Sequence, residues 1–131
     1  MNTREHSVVV ERSFTQADFD KFAALSGDNN PIHVDAAFSA TTRFGRTVSH
    51  GVLLNTVLRG LLERLVPGGK QVSQSLMFPA PTFADEPLRF SAEIQSEDSE
   101  HVTPAIRCQR ARDDVVTCEG TTVLKLRGSR S

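Results

Sequence analysis

No stretch of the chain approaches the ~20 consecutive apolar residues that a helix needs to cross a bilayer. The apolar run near the start, Val8-Val9-Val10, follows the polar Met1-Asn2-Thr3-Arg4-Glu5-His6 and gives way at once to Glu11-Arg12. It is too short for the core of a signal peptide, so the sequence reads as cytoplasmic, with no membrane partner. There is no basic excess either. Fifteen Lys and Arg against 16 Asp and Glu leave a formal net charge of -1, which argues against a nucleic-acid partner or an anionic membrane surface. Cysteine is scarce: Cys108 and Cys118 are the two, without metal-ligand spacing. Buried, reduced thiols in strands are expected, with a disulfide open only if those strands pair in register. The chain has no phosphate loop, no Gly-x-Ser-x-Gly elbow and no redox motif. It has no internal repeat, low-complexity segment or linker. What remains, at 131 residues, 38% hydrophobic and 24% charged, is one ordinary soluble domain over residues 1–127. A disordered tail is expected at 128–131.

Ser7 to Phe14 is valine-rich and weakly alternating, which predicts a first strand. Thr15 then caps a helix, with Asp18 at the capping-box position, that carries Phe19, Phe22 and Ala23 and stops at Gly27. A polar loop follows, Ser26-Gly27-Asp28-Asn29-Asn30-Pro31-Ile32-His33, and then a short helix from Asp35 as cap to Thr42. His50-Gly51 opens the longest helical pattern, to about Leu65. Its apolar face, Leu53, Leu54, Val57, Leu58, Leu61, Leu62 and Leu65, is wide enough to predict a mostly buried helix. After Pro67-Gly68-Gly69 the chain reads as strands: Gln71–Phe78, with Phe83 as an outer limit, then Leu88–Gln95, Val102–Arg110 and Val115–Leu126. Their short connections predict antiparallel pairing. The fold class is α+β, with an antiparallel sheet wrapped around the long helix.

Three features can carry chemistry. Asp28 and His33 lie five residues apart on a turning loop, and Pro31 argues against both sitting on one helix. A carboxylate and an imidazole that converge can hold and activate a water. The other reading of the same residues is a polar loop in which Asp28 caps a turn and His33 is packed. His50-Gly51 stands at a helix N-terminus, where free N–H groups and the helix dipole favour a carbonyl oxygen that gains negative charge. The alternative for Gly51 is tight helix–sheet packing. Arg59 falls on the polar stripe of the long helix, either paired with Glu63 one turn on or facing the site. A metal centre built from Asp28, His33, Asp35 and His50 matches no common zinc spacing.

The run Ser26 to Asp35, then Phe38-Ser39-Ala40-Thr41-Thr42-Arg43-Phe44-Gly45-Arg46, then His50-Gly51-Val52-Leu53, resembles the signature of the MaoC-like dehydratases. These include the (R)-specific enoyl-CoA hydratases. The Asp-x-Asn-Pro-x-His motif with His-Gly 17 residues later is specific, and the resemblance covers nearly the whole chain, including Gln74 to Phe78 and Pro81. It implies a hot-dog fold, usually dimeric. It implies syn addition of water to a trans-2-enoyl thioester, or the reverse dehydration of a (R)-3-hydroxyacyl thioester. By position, Asp28 and His33 match the catalytic pair, Gly51 the residue whose N–H holds the thioester carbonyl, and Asn30 a loop-shaping residue. His50 is expected to support the site. The resemblance implies no metal or redox cofactor, an acyl thioester of CoA or acyl-carrier protein as substrate, and a homodimer. Two places depart from the family. Arg59 stands where several members carry serine, and Ala84-Asp85 stands where Gly-Asp is common. An arginine facing Asp28 would lower its pKa or grip a carboxylate on the acyl chain. Arg59 therefore keeps open an alternative, a non-catalytic hot-dog subunit that binds acyl thioesters or supports a partner. The motif argues against a hot-dog thioesterase.

Overall fold

The computed structural model describes residues 6–126. The expected tail at 128–131 lies outside them, as do residues 1–5 and 127 of the expected domain. In chain order the elements are β1 (Ser7–Arg12), α1 (Gln16–Ser26), α2 (Pro31–Val34), α3 (Ala36–Ser39), α4 (Gly51–Leu65), β2 (Lys70–Met77), β3 (Leu88–Glu97), β4 (His101–Arg110) and β5 (Val116–Lys125). The strands form one antiparallel sheet in the order β1-β3-β4-β5-β2. The sheet wraps α4, as the α+β hot-dog expectation has it. Leu54, Leu58, Leu61, Leu62 and Leu65 of α4 are buried in one cluster with Val8, Leu88, Phe90, Ala92, Val102, Ile106 and Leu124 of the sheet. Leu53 and Val57, expected on the same face, are half-buried.

Local chemistry explains most boundaries. Thr15 and Asp18 form a reciprocal capping box at the start of α1, and Gly27 closes it with a left-handed φ of 82°. β1 ends at Arg12, two residues before the expected Phe14. Beyond Met77 the sequence Pro79-Ala80-Pro81 cannot donate to a ladder at its prolines. Strand β2 therefore stops, and Phe83 makes only an isolated bridge with Val48. The sequence reading missed α2. Asp28 and His33 do not share a helix, as Pro31 predicts, but Pro31 itself occupies the first helical position of α2, where its missing N–H costs nothing and its fixed φ favours the turn. The short helix expected from Asp35 as cap to Thr42 ends sooner and spans Ala36–Ser39, with Asp35 as its cap.

Cys108 and Cys118 face each other directly across β4 and β5. In-register strands were the condition for a disulfide, and the condition is met, but both residues are buried free thiols. Burial pushes Cys108 up to about 11 and Cys118 up to about 12. At Gly120 of β5, a Cβ would collide with the Ser75 carbonyl oxygen of β2, so this pairing needs a residue without a side chain.

Candidate active site

The loop between α1 and α2 is folded by its own short side chains. Ser26 Oγ accepts the Asp28 N–H at 3.1 Å, Asp28 Oδ1 the Asn30 N–H at 3.4 Å, and Asn30 Oδ1 the Ile32 N–H at 3.1 Å. Asn30 is thereby the cap of α2, and α2 carries His33 inward. Asp28 lies before that helix and His33 on it, so the two reach one spot from opposite ends of the turn.

His33 Nδ1 lies 2.8 Å from the Val48 carbonyl oxygen. A carbonyl only accepts, so Nδ1 carries the proton and Nε2 presents a lone pair when the ring is neutral. That Nε2 is 4.0 Å from Asp28 Oδ2. The gap is too long for a direct hydrogen bond and suits a molecule the size of water between them. The histidine side chain is 14% exposed and the carboxylate 57%, so the pair opens outward from Asp28.

His50 is 2% exposed, and its ring reaches both candidate residues. Its ring stacks on that of His33 at 3.8 Å between centroids and 23° between planes, and Phe22 packs on it at 4.9 Å. Its Nε2 donates to the Asp28 carbonyl oxygen at 2.8 Å. His50 thus fixes the backbone of one candidate residue and the ring of the other. With Nε2 as donor, Nδ1 bears a lone pair, and it has no hydrogen-bond partner among the described residues.

Ligand atoms of Asp28, His33 and His50 lie within 4.8 Å of one another, which spacing in the sequence did not suggest. Stacked imidazoles, however, carry their in-plane lone pairs side by side. They cannot converge on one ion at Zn–N distances of about 2.0–2.1 Å without unstacking. Asp35, the fourth donor considered, instead accepts the Phe38 N–H at 3.0 Å as the cap of α3. The donor set as arranged does not fit a metal.

Gly51 follows His50 directly and is the first residue of α4. The helix has no side-chain cap, and the Gly51 N–H has no partner among the described residues. It faces the open end of a helix dipole, the place for a carbonyl oxygen that gains charge. Gly51 also lines a cavity of about 420 Å³ together with Arg43, Phe44, Val52, Phe78 and Thr82. Asp28 and His33 are not in that lining. His50 joins the two regions, with its ring against His33 and its chain neighbour on the cavity wall. A larger groove, about 610 Å³, lies on the outer face of the sheet and includes none of these residues.

Arg59 is half-buried on α4 and makes no hydrogen bond or ion pair with Asp28, His33 or any other described residue. The expected pairing with Glu63 does not form, because Glu63 accepts the Gly68 N–H at 2.9 Å beyond the helix end. Thr82 was not singled out in the sequence. It is buried beside the site, its carbonyl accepts the Ser49 N–H at 2.8 Å, and its Oγ1 has no partner among the described residues. It follows a proline-rich segment with no periodicity, so no pattern marked it.

The family model described as MaoC like domain matches residues 2–117. The chain is similar to the (R)-specific enoyl-CoA hydratase of Aeromonas caviae, 40% identical over 87 residues, which is 65% of this chain and 65% of that one. It is also similar to the 3-hydroxybutyryl-CoA dehydratase of Methylorubrum extorquens, 27% identical over 120 residues, 90% of this chain and 76% of that one. Among solved structures, the (R)-hydratase from A. caviae involved in PHA biosynthesis superposes with a TM-score of 0.86 at 32% identity. It covers 96% of this chain and 97% of that one.

Proposed function

Because the chain belongs to the MaoC-like dehydratase family, we propose that it adds water to a trans-2-enoyl thioester to give the (R)-3-hydroxyacyl thioester, or removes it in reverse. The observation that carries this reading is the 4.0 Å gap between Asp28 Oδ2 and His33 Nε2, with His33 Nδ1 held by the Val48 carbonyl so that Nε2 of the neutral ring is an acceptor. Both groups accept, so a water between them donates one hydrogen to each and turns a lone pair outward. His33 takes a proton at Nε2 while the water oxygen bonds to the β-carbon. The electron pair of the double bond moves toward the thioester carbonyl, whose oxygen is held by the Gly51 N–H. The imidazolium then returns the same proton to the α-carbon on the same face, which is syn addition. Asp28 holds the second hydrogen of the water and steadies the imidazolium. None of these steps calls on a metal or redox cofactor. The thioester carrier is CoA or an acyl-carrier protein.

Arg59 supports this reading by what it leaves alone. A guanidinium bound to Asp28 would have favoured the non-catalytic alternative, and Asp28 Oδ2 is not so engaged. The proposed assembly is a homodimer. Purified protein should consume crotonyl-CoA, seen as loss of the enoyl ultraviolet absorbance. Asp28→Asn should lower kcat by about 10²–10⁴-fold, the usual range for a positioned acid–base group. Wild type and variant equally inert on short and medium enoyl chains would end the hydratase reading.

A further inference from the structure

His33 sits on an element that cannot hold itself. Helix α2 is a single turn of four residues, and a single turn is unfavourable on its own. The carbonyls of its last turn need partners from elsewhere in the chain. Ile32 O accepts the Val48 N–H at 3.0 Å and the Ser39 hydroxyl at 3.2 Å. His33 O accepts the side-chain amide of Gln16, whose Nε2 lies 2.8 Å away across 17 residues. Gln16 is the first residue of α1, and the hydration chemistry gives it no task.

The other half of that amide reaches the segment that holds the His33 ring. Gln16 Oε1 accepts the Thr47 hydroxyl at 2.6 Å. Thr47 is 6% exposed, and its chain neighbour Val48 supplies the carbonyl that takes the His33 Nδ1–H at 2.8 Å. The partners fix which way the amide points. Nε2 faces the His33 carbonyl and, at 3.1 Å, the Asp20 carboxylate, both pure acceptors, whereas Oε1 faces a hydroxyl that can donate. The contacts close into a ring. It runs from His33 O to Gln16, from Gln16 to Thr47, along the chain to Val48, and from Val48 O back to the imidazole of His33. The main chain and the imidazole of one residue are both tied to the dipeptide Thr47-Val48.

We propose that Gln16 is a positioning residue for His33. With Thr47 it sets how far the His33 main chain stands from the Val48 carbonyl, and so keeps the ring proton on Nδ1 and leaves Nε2 open toward Asp28. The proposal rests on the hydratase reading, in which Nε2 takes a proton from water, and adds what holds that nitrogen ready. The partner of one ring nitrogen decides which of the two carries the proton. A shift of α2 from Val48 by about 1 Å would stretch the 2.8 Å contact beyond hydrogen-bond reach. The imidazole could then take the other tautomer, with Nε2 protonated and unable to accept from a water. The hydrogen bonds of Gln16 go to Asp20, Thr47 and the His33 main chain, so it acts through His33 and not on substrate.

The test reads the tautomer itself beside activity. Nitrogen-15 spectra of the four histidines, with His33→Asn to assign the His33 signals, should show Nδ1 protonated and Nε2 bare in wild type when the ring is neutral. In Gln16→Ala, where alanine keeps α1 helical, both nitrogens should move toward a mixture of tautomers. Thr47→Val, which exchanges the hydroxyl for a methyl, should do the same, and Thr47→Ser should restore the wild-type pattern. On crotonyl-CoA, Gln16→Ala and Thr47→Val should each lower kcat about tenfold with KM unchanged. The double variant should lose no more than either alone, because both act through one chain of bonds. A tautomer shift in a protein inert toward crotonyl-CoA would sink the hydratase reading and keep the role of Gln16. Ordinary turnover with the His33 nitrogens unmoved in both variants would overturn that role and keep the hydratase reading. A lower kcat with a lower melting temperature and unmoved nitrogens, or losses that add in the double variant, would overturn it as well.

Discussion

His33 has one N–H when neutral, and Val48 takes it. That single contact decides which nitrogen can act as a base, and no motif spells it out, because Val48 is 15 residues away. The loop residues were legible for a local reason: Asp28, Asn30 and Pro31 shape a turn through bonds spanning two residues. The stack of His33 on His50 was not legible, since it depends on how α2 docks against the start of α4. The cysteines were read correctly as buried thiols, but their facing positions emerged only from the strand register. Their raised pKa values carry a stability prediction. In the unfolded chain a thiol ionises near 9, whereas in the fold burial holds Cys108 to about 11 and Cys118 to about 12. Above pH 9 the unfolded state releases protons first, so this contribution is full below pH 9 and is lost as pH rises toward 11–12. Urea midpoints should fall more steeply between pH 8.5 and 10.5 in wild type than in a Cys108→Ala/Cys118→Ala variant. Parallel profiles in the two proteins would contradict the assignment.

At the scale of elements, α4 was legible because its leucines repeat at helical spacing, and that pattern also gave its place against the sheet. Its bare N-terminus was less so, since the sequence cannot show that no side chain caps it. The proposed carbonyl holder can be isolated by two substitutions at one position. A Cβ at Gly51 would meet the Phe78 ring at 2.9 Å, and that ring is the end of an exposed side chain that can turn aside. Gly51→Ala therefore keeps the N–H at the expense of a displaced phenylalanine. Gly51→Pro adds the loss of the N–H. Proline is well suited to the first helical position, and His50 already has the extended φ of -61° and ψ of 135° that precedes proline comfortably. Both variants should fold, checked by circular dichroism. Gly51→Pro should lose about 10²–10³-fold in kcat beyond Gly51→Ala, the usual loss when one donor to a developing oxyanion is removed. Equal activity in the two would remove the Gly51 N–H from the mechanism.

Across the whole molecule, the consecutive strands β3, β4 and β5 could be read from their short turns. The placement of β2 at the far edge could not, because its partner β5 lies about 50 residues on, from Lys70 to Lys125 and from Met77 to Glu119. That edge bears on the proposed homodimer. Among the described residues strand β2 pairs only with β5, which leaves its outer row of backbone groups open. Val72 and Met77 on it are exposed, as are Phe78 just beyond it and Val52 on α4. The other edge, β1, ends in Glu11 and Arg12, charges of the kind that discourage edge pairing, whereas the only charge on β2 is Lys70 at its start. A second copy joined β2 to β2 about a two-fold axis would satisfy the open edge and cover the apolar side chains. Sedimentation should give twice 14.4 kDa. In Val72→Glu/Met77→Glu, like charges would be repeated across the axis, and the protein should sediment as a monomer with its far-ultraviolet dichroism kept. Phe78 packs against Gly51 directly after β2, so the same variant should also lose activity on crotonyl-CoA. A wild-type protein that is monomeric at tens of micromolar, or a dimer that survives both glutamates, would rule out pairing through β2.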